Sequence, residues 1–299
     1  MHWTMPGTIV VAATLCAAIP AISQTGGQPP PRTWIDAETG HRIVRLTNEP
    51  GSASLYFNQN GYTADSLKMV YTTPEGISAL DLATRTAKPV VTGRVRVIVT
   101  GRKTPNVYYT RGNAVYSTNV DTGATREIAK LPPRGSVVTV NADETLMAGT
   151  YIEGDGQDYN ADRPQQPQQL DQPVNKGQMM EERLAAHLPM ALFTINTTTG
   201  ESRVLHRATD WLNHLEFSPT DPSLLMFCHE GPWHKVDRIW TIRTDGSQIT
   251  LVHHRTMTME IAGHEFWSAD GKTIWYDLQT PHGEVFWLAG YNVETGART

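Results

Sequence analysis

Two histidines recur at the same phase of a repeated pattern, and this is the first place in the chain where chemistry shows. His214 stands four residues before Ser218 and His264 four residues before Ser268, and each serine opens a polar turn, Ser218-Pro219-Thr220-Asp221 and Ser268-Ala269-Asp270-Gly271. Earlier units carry Gln59 and Val137 at the corresponding position. An imidazole with an ordinary pKa of about 6.5 is mostly neutral at pH 7 and can take up a hydrogen bond or a proton from a ligand. Two readings are open: the pair faces a ligand, or each histidine bonds a neighbouring unit. The setting of His264, Gly263-His264-Glu265-Phe266-Trp267, favours the first.

A second cluster lies between them, Phe227-Cys228-His229-Glu230-Gly231-Pro232-Trp233-His234, followed by Asp237-Arg238-Ile239-Trp240. A hydrophobic strand here runs into a loop rich in ionisable and aromatic groups, shaped by a Gly-Pro pair, and returns to a strand. Trp233 and the histidines can stack on a sugar ring, and Arg238 can pair with a carboxylate through two N–H groups. His214, His229, Glu230 and Trp233 are therefore candidate substrate-binding residues. The competing reading of Arg238 is a salt bridge to Asp237 or Glu230 at a sheet edge. Cys228 reads as a packed strand residue, and His253-His254 as solvated.

These groups need elements to hold them, and the chain supplies a repeat of short strands. Asp65, Asp143 and Asp221 are spaced by 78 residues each (143 − 65 and 221 − 143), two units of roughly 40 residues, the length of a propeller blade. Further turns end in glycine: Asp121-Thr122-Gly123, Thr198-Thr199-Gly200, Thr244-Asp245-Gly246 and Glu294-Thr295-Gly296. Between them lie β-rich runs beginning at Lys68, Asn106, Leu224 and Thr273. One insertion, Gly154 to Leu188, interrupts the pattern, and its second part, Met179 to Ala186, reads as a short helix. The expectation is an all-β protein, a β-propeller of about five blades, with the chain stopping just after a blade's turn as if incomplete.

The chain has 299 residues, with 39% hydrophobic and 18% charged, values of a folded globular protein. A net charge of −5 favours neither nucleic acid nor an anionic membrane, so an acidic ligand must be bound by local charge. The apolar run Ile9 to Ile22, ending Ala21-Ile22-Ser23, reads as a signal peptide over 1–23, although its start carries no Lys or Arg. Residues 24–32 read as a Gly/Pro/Gln-rich linker and 33–299 as the propeller. Export would place the protein in the periplasm or outside the cell. Cleavage would remove Cys16 and leave Cys228 without a disulfide partner.

The blocks Phe-Cys-His-Glu-Gly-Pro at 227–232, Asp237 to Trp240 and His-Glu-Phe-Trp at 264–267 resemble those of the oligogalacturonate lyases, polysaccharide lyase family 22, over most of 33–299. The resemblance implies a seven-bladed propeller, with about five blades in this chain. It implies β-elimination on short galacturonate oligomers, a small acidic substrate, with His264 as base and Arg238 as a catalytic, carboxylate-binding residue. It also implies Mn2+ bound by three histidines and a glutamine, ligands that would lie beyond Thr299, so no metal ligand is assigned here. The alternative is a non-catalytic periplasmic propeller of the TolB-like repeat type, which the Ser268-Ala269-Asp270-Gly271-Lys272 turn fits equally well. The propeller half of a serine peptidase is disfavoured because no Gly-x-Ser-x-Gly elbow follows.

Overall fold

The computed structural model describes residues 32–154 and 175–299. The expected signal peptide, the linker up to residue 31 and the front of the insertion lie outside the described residues. By its internal contacts the chain divides into two units, Met1–Leu46 and Thr47–Thr299. The first contains an antiparallel pair, β1 (Thr33–Ile35) and β2 (Arg42–Val44).

The second unit is a succession of antiparallel sheets, each a simple up-and-down meander. The first sheet is β3 (Ala53–Ser54), β4 (Lys68–Thr73), β5 (Gly76–Asp81) and β6 (Ala87–Thr92). The second is β7 (Arg96–Thr100), β8 (Asn106–Arg111), β9 (Ala114–Asn119) and β10 (Thr125–Lys130). The third is β11 (Ser136–Val140), β12 (Leu146–Ile152), β13 (Met190–Asn196) and β14 (Ser202–Ala208), with helix α1 (Lys176–Ala186) between β12 and β13. The fourth is β15 (Trp211–Phe217), β16 (Leu224–Glu230), β17 (Ile239–Arg243) and β18 (Thr250–Leu251). The fifth is β19 (Ile261–Trp267), β20 (Thr273–Gln279) and β21 (Phe286–Asn292), along which Thr299 pairs with Gly290. These five sheets are the blades of a β-propeller, as the repeat predicts. Among the described residues, no helix is long and apolar enough to cross a membrane.

The second, third and fourth blades bury both faces of their middle strands, because each is sandwiched between two neighbours. Four apolar clusters fill the four successive interfaces. Strand β16 shows the rule: Leu225 and Phe227 pack toward the third blade, while Leu224 and Met226 pack toward the fifth. A strand buried on both sides reads as a continuous apolar run rather than an alternating one, as Leu224 to Cys228 does.

The recurrent aspartates act as turn locks. Asp65 accepts from the Leu67 amide at 3.0 Å, Asp143 from Thr145 at 3.2 Å, Asp221 from Ser223 at 2.9 Å and Asp270 from Lys272 at 3.1 Å. The second blade has no such aspartate, so Asp65 and Asp143 stand two blades apart. Asp143 and Asp221 instead lie in adjacent blades, the third and fourth, and their equal spacing of 78 residues is one blade plus the insertion that carries α1, not two repeat units. The turn of the second blade is held instead by Glu144 from the third blade, which accepts from the Lys103 amide at 2.6 Å, the Thr104 amide at 2.9 Å and the Tyr108 hydroxyl at 2.8 Å. The glycine turns carry a steric demand as well. At Gly200, with φ of 76°, an added Cβ would meet the Ile128 carbonyl oxygen of the second blade at 2.8 Å. The expected helix starts three residues early, at Lys176, because Asn175 caps it by accepting the Gln178 amide at 3.1 Å.

Glu144→Ala strips the turn of the second blade of its acceptor and leaves buried donors unmet. It should lower unfolding stability by about 2–4 kcal/mol, measured by urea denaturation. A loss below about 0.5 kcal/mol, the scatter of ordinary surface substitutions, would show that Glu144 does not join the blades.

Candidate functional site

Both phase-matched histidines sit on bulges of the first strand of a blade. The pairing of β15 with β16 slips between Asn213 and Glu216, and that of β19 with β20 slips between Gly263 and Phe266. At these slips His214 has φ of 47° and His264 φ of 50°, the left-handed region. A side chain other than glycine costs about 1–2 kcal/mol there, and such strain is concentrated at functional sites. The bulge turns each imidazole out of the alternating in-and-out pattern of its strand.

Beside His264, Asp277 of β20 accepts from Nδ1 at 3.0 Å. Asp277 also accepts from the Gln279 side-chain amide at 2.9 Å, and Gln279 in turn accepts from the Gly283 amide at 2.9 Å. A carboxylate on Nδ1 places the imidazole proton there and leaves Nε2 unprotonated as the basic atom. The ring is half-exposed and meets Trp233 edge-on at 5.2 Å between centroids. Gly263 makes that contact possible, since a Cβ there would stand 2.7 Å from the Trp233 ring.

Arg238 lies beneath. Its side chain is 2% exposed, and it donates to Glu265 through Nε at 3.2 Å and Nη2 at 3.1 Å and to Glu230 through Nη1 at 2.7 Å. Trp233 covers the guanidinium at 4.6 Å and donates its indole N–H to Glu230 at 2.9 Å. His214 Nε2 donates to the other Glu230 oxygen at 3.0 Å. Burial pushes the pKa values of Glu230 and Glu265 up. For Glu230 the His214 hydrogen bond and Arg238 outweigh that effect, and for Glu265 Arg238 does, so both lie below the ordinary value. The three charged groups therefore carry −1 between them, and three of the five guanidinium N–H groups of Arg238 are committed inside the protein. Of the two salt-bridge partners the sequence offers, Glu230 is found; Asp237 bonds His254 and Arg255 instead.

A cleft of about 230 Å³ opens over this layer. His264, Trp233, Arg238, Glu230 and His214 all line it, so five of the six predicted site residues are brought together from two blades. His229 is set apart. It lies within the blade against Trp240 at 4.8 Å, with Nδ1 3.5 Å from Asp210, and is not among the groups lining the cleft. Cys228 is fully buried with its pKa pushed well up by burial, a packed residue as expected and no nucleophile. His253 departs from the solvated reading: it is buried between Glu260 at 2.5 Å and Tyr276 at 3.1 Å, joining residues distant along the strand pattern. His254 is exposed.

The cleft also contains groups that the sequence pattern leaves unmarked. Tyr56, Phe57 and Asn58 come from the loop after β3, and Lys176, Met179 and Met180 from α1. Asp277 is invisible without the register that sets it opposite Gly263. Glu265 directly follows His264 and was readable as a charge in an apolar strand. Among the described residues, no group of three or more His, Cys, Asp or Glu side chains is placed to hold a metal ion.

Glu216 stands at the far side of His214. Burial pushes its pKa to about 8, against the pull of Arg102, while the charge of Glu265 adds to the rise. Between about 4.5 and about 8 the unfolded chain releases this proton and the fold retains it, so stability falls as pH rises through that window. Glu216→Gln has no proton to lose. Its melting temperature relative to the parent should rise steadily across that window in calorimetry, and a constant difference would refute the protonated state.

A family model described as oligogalacturonate lyase matches residues 30–280. An oligogalacturonide lyase of Pectobacterium atrosepticum is 28% identical over 258 residues, covering 82% of this chain and 62% of that protein. An oligogalacturonate lyase of Dickeya dadantii is 29% identical over 259 residues with the same coverages. The chain thus spans about 62% of the length of these curated relatives. A solved structure of oligogalacturonate lyase in complex with manganese superposes with a TM-score of 0.75 at 25% identity, covering 89% of this chain and 70% of that one. With a family model matching most of its length and its blades superposing on that solved structure, the chain belongs to the oligogalacturonate lyase family.

Proposed function

We propose that this chain acts in the β-eliminative cleavage of short galacturonate oligomers, with His264 as the base. The observation that carries this reading is the His264–Asp277 pair at the cleft, which presents an unprotonated Nε2 beside Trp233. In a uronate residue the C5 proton is α to a carboxylate. Nε2 removes it, the electron pair forms the C4–C5 double bond, the C4–O bond breaks, and the departing sugar oxygen takes up a proton. Trp233 offers an apolar ring for a sugar face, and Asp277 holds the tautomer and stabilises the imidazolium that forms.

The resemblance gives Arg238 the task of neutralising the substrate carboxylate. Its bonds to Glu230 and Glu265 mean that only its remaining N–H groups are available for that, and that two carboxylates already share its charge. Manganese is supported by the solved relative. The described residues do not fit a metal centre, so no step here is routed through one. The apolar segment within 1–23 supports export, which would place the reaction in the periplasm or outside the cell.

Incubation of the protein with digalacturonate, with and without added manganese, should yield unsaturated or keto-sugar product. His264→Ala should lower turnover about 10²–10⁴-fold while digalacturonate binding persists. Binding without product in the parent protein would instead favour a non-catalytic propeller. Asp277→Asn should lower kcat by at least about tenfold with KM nearly unchanged, and an equal loss in both would mark Asp277 as structural only.

A further inference from the structure

The cleft beside His264 does not end at His214. A second hollow of about 210 Å³ adjoins it, and the two share Tyr56, Asn58, Asn213 and His214 in their linings. One side of this shared wall faces His264 and Trp233. The other faces Arg96, Gln59, Thr139 and Glu216.

The charges of the two compartments are disposed alike. In the first, Glu230, Glu265 and Arg238 pair with one another, His214 pairs with Glu230 and His264 with Asp277. Lys176 is the exception. It projects from the first turn of α1, is exposed, and stands 5.8 Å over the Trp233 ring with no carboxylate partner among the described residues. In the second compartment the corresponding group is Arg96, the exposed first residue of β7, which has no ion pair with any described residue. The nearby carboxyl of Glu216 keeps its proton near neutral pH and does not cancel that charge. Two uncommitted cations thus stand on either side of a wall made by an aromatic residue, a histidine and two asparagines.

We propose that the two compartments are adjoining anion subsites, Lys176 serving the first and Arg96 the second, built for a ligand with one carboxylate on each of two successive sugars. This rests on the oligouronate reading above and adds to it the residues that set charge and chain length. Lys176 supplies the carboxylate contact that Arg238, shared between two glutamates, offers only in part. Tyr56 and Asn58 lie at the junction, where the glycosidic bond of the ligand would cross. A monouronate reaches only one of the two cations, and a methyl-esterified disaccharide reaches both compartments without charge for either.

The test is binding, measured by calorimetric titration in the His264→Ala background so that bound sugar is not consumed. The probes are digalacturonate, galacturonate and the dimethyl ester of digalacturonate. Arg96→Met should weaken digalacturonate about tenfold, the loss of one charged contact, and leave galacturonate unchanged. Lys176→Met should weaken both acids, neither substitution should alter the ester, and Arg96→Lys should recover most of the loss. Both positions are exposed, so folding is preserved, and thermal melts check this. Equal digalacturonate affinity in the parent and in Arg96→Met overturns the proposal, as does an ester that binds as well as the acid. Turnover in the unmutated protein separates the two readings. Product formation with no effect of Arg96→Met on kcat/KM keeps the lyase and removes the second subsite. Binding that depends on both cations, without product, keeps the subsites and removes the lyase.

Discussion

The pairing of one buried arginine with two glutamates determines how the rest of the site is arranged. Glu230 ends β16, Arg238 immediately precedes β17 and Glu265 lies on β19 of the next blade. Burial makes the arginine costly without the glutamates and each glutamate costly without the arginine. Satisfying them draws in Trp233, whose ring covers the guanidinium and whose N–H completes Glu230, and then His214 on the remaining oxygen. Trp233 in turn reaches across to His264 and requires glycine at position 263. The base therefore rests on a polar layer that is internally neutralised except for one negative charge.

That balance changes how acid recognition works in the cleft. A site intended for an anion is expected to present free positive charge, yet the most prominent arginine is largely committed inward. Its service is to tie the fourth and fifth blades together under the cleft and to orient the aromatic wall. The cations with no acidic partner lie at the rim instead, on α1 and on β7, where long side chains remain hydrated until a ligand arrives. The helix that carries Lys176 belongs to the insertion and lines the cleft, a departure from the plain repeat of strands.

Strain at the two histidines belongs to the same design. A regular strand would alternate His264 with its neighbours, either into the packed interface or flat along the sheet. The bulge lets Glu265 turn inward to Arg238 while His264 turns outward to Asp277, two consecutive polar residues with separate tasks. The same device in the fourth blade gives His214 to Glu230 and leaves Glu216 within reach of the second hollow.

Much of this was legible in the residue order because propeller blades are local objects. The turn aspartates, the glycine turns and the apolar runs at 68, 106, 224 and 273 mark hairpins whose contacts span few residues, so pattern alone yields an all-β propeller and a common phase for His214 and His264. The grouping of His264, Arg238, Trp233 and Glu230 was also visible, since their blocks lie on successive blades. What pattern could not decide was the partner of each charge. Asp277 meets His264 through the register of β20, Glu144 replaces a missing turn aspartate from the next blade, and Tyr56, Lys176 and Arg96 reach the cleft and the hollow beside it from elements far apart in the chain. His253 looked solvated because its partners Glu260 and Tyr276 become neighbours only after the fifth blade packs. The sequence by itself determined which elements form and which residue types they carry. Tertiary structure alone decided which charges are already neutralised and which remain free for a ligand, because that depends on distances across blades that no local spacing encodes.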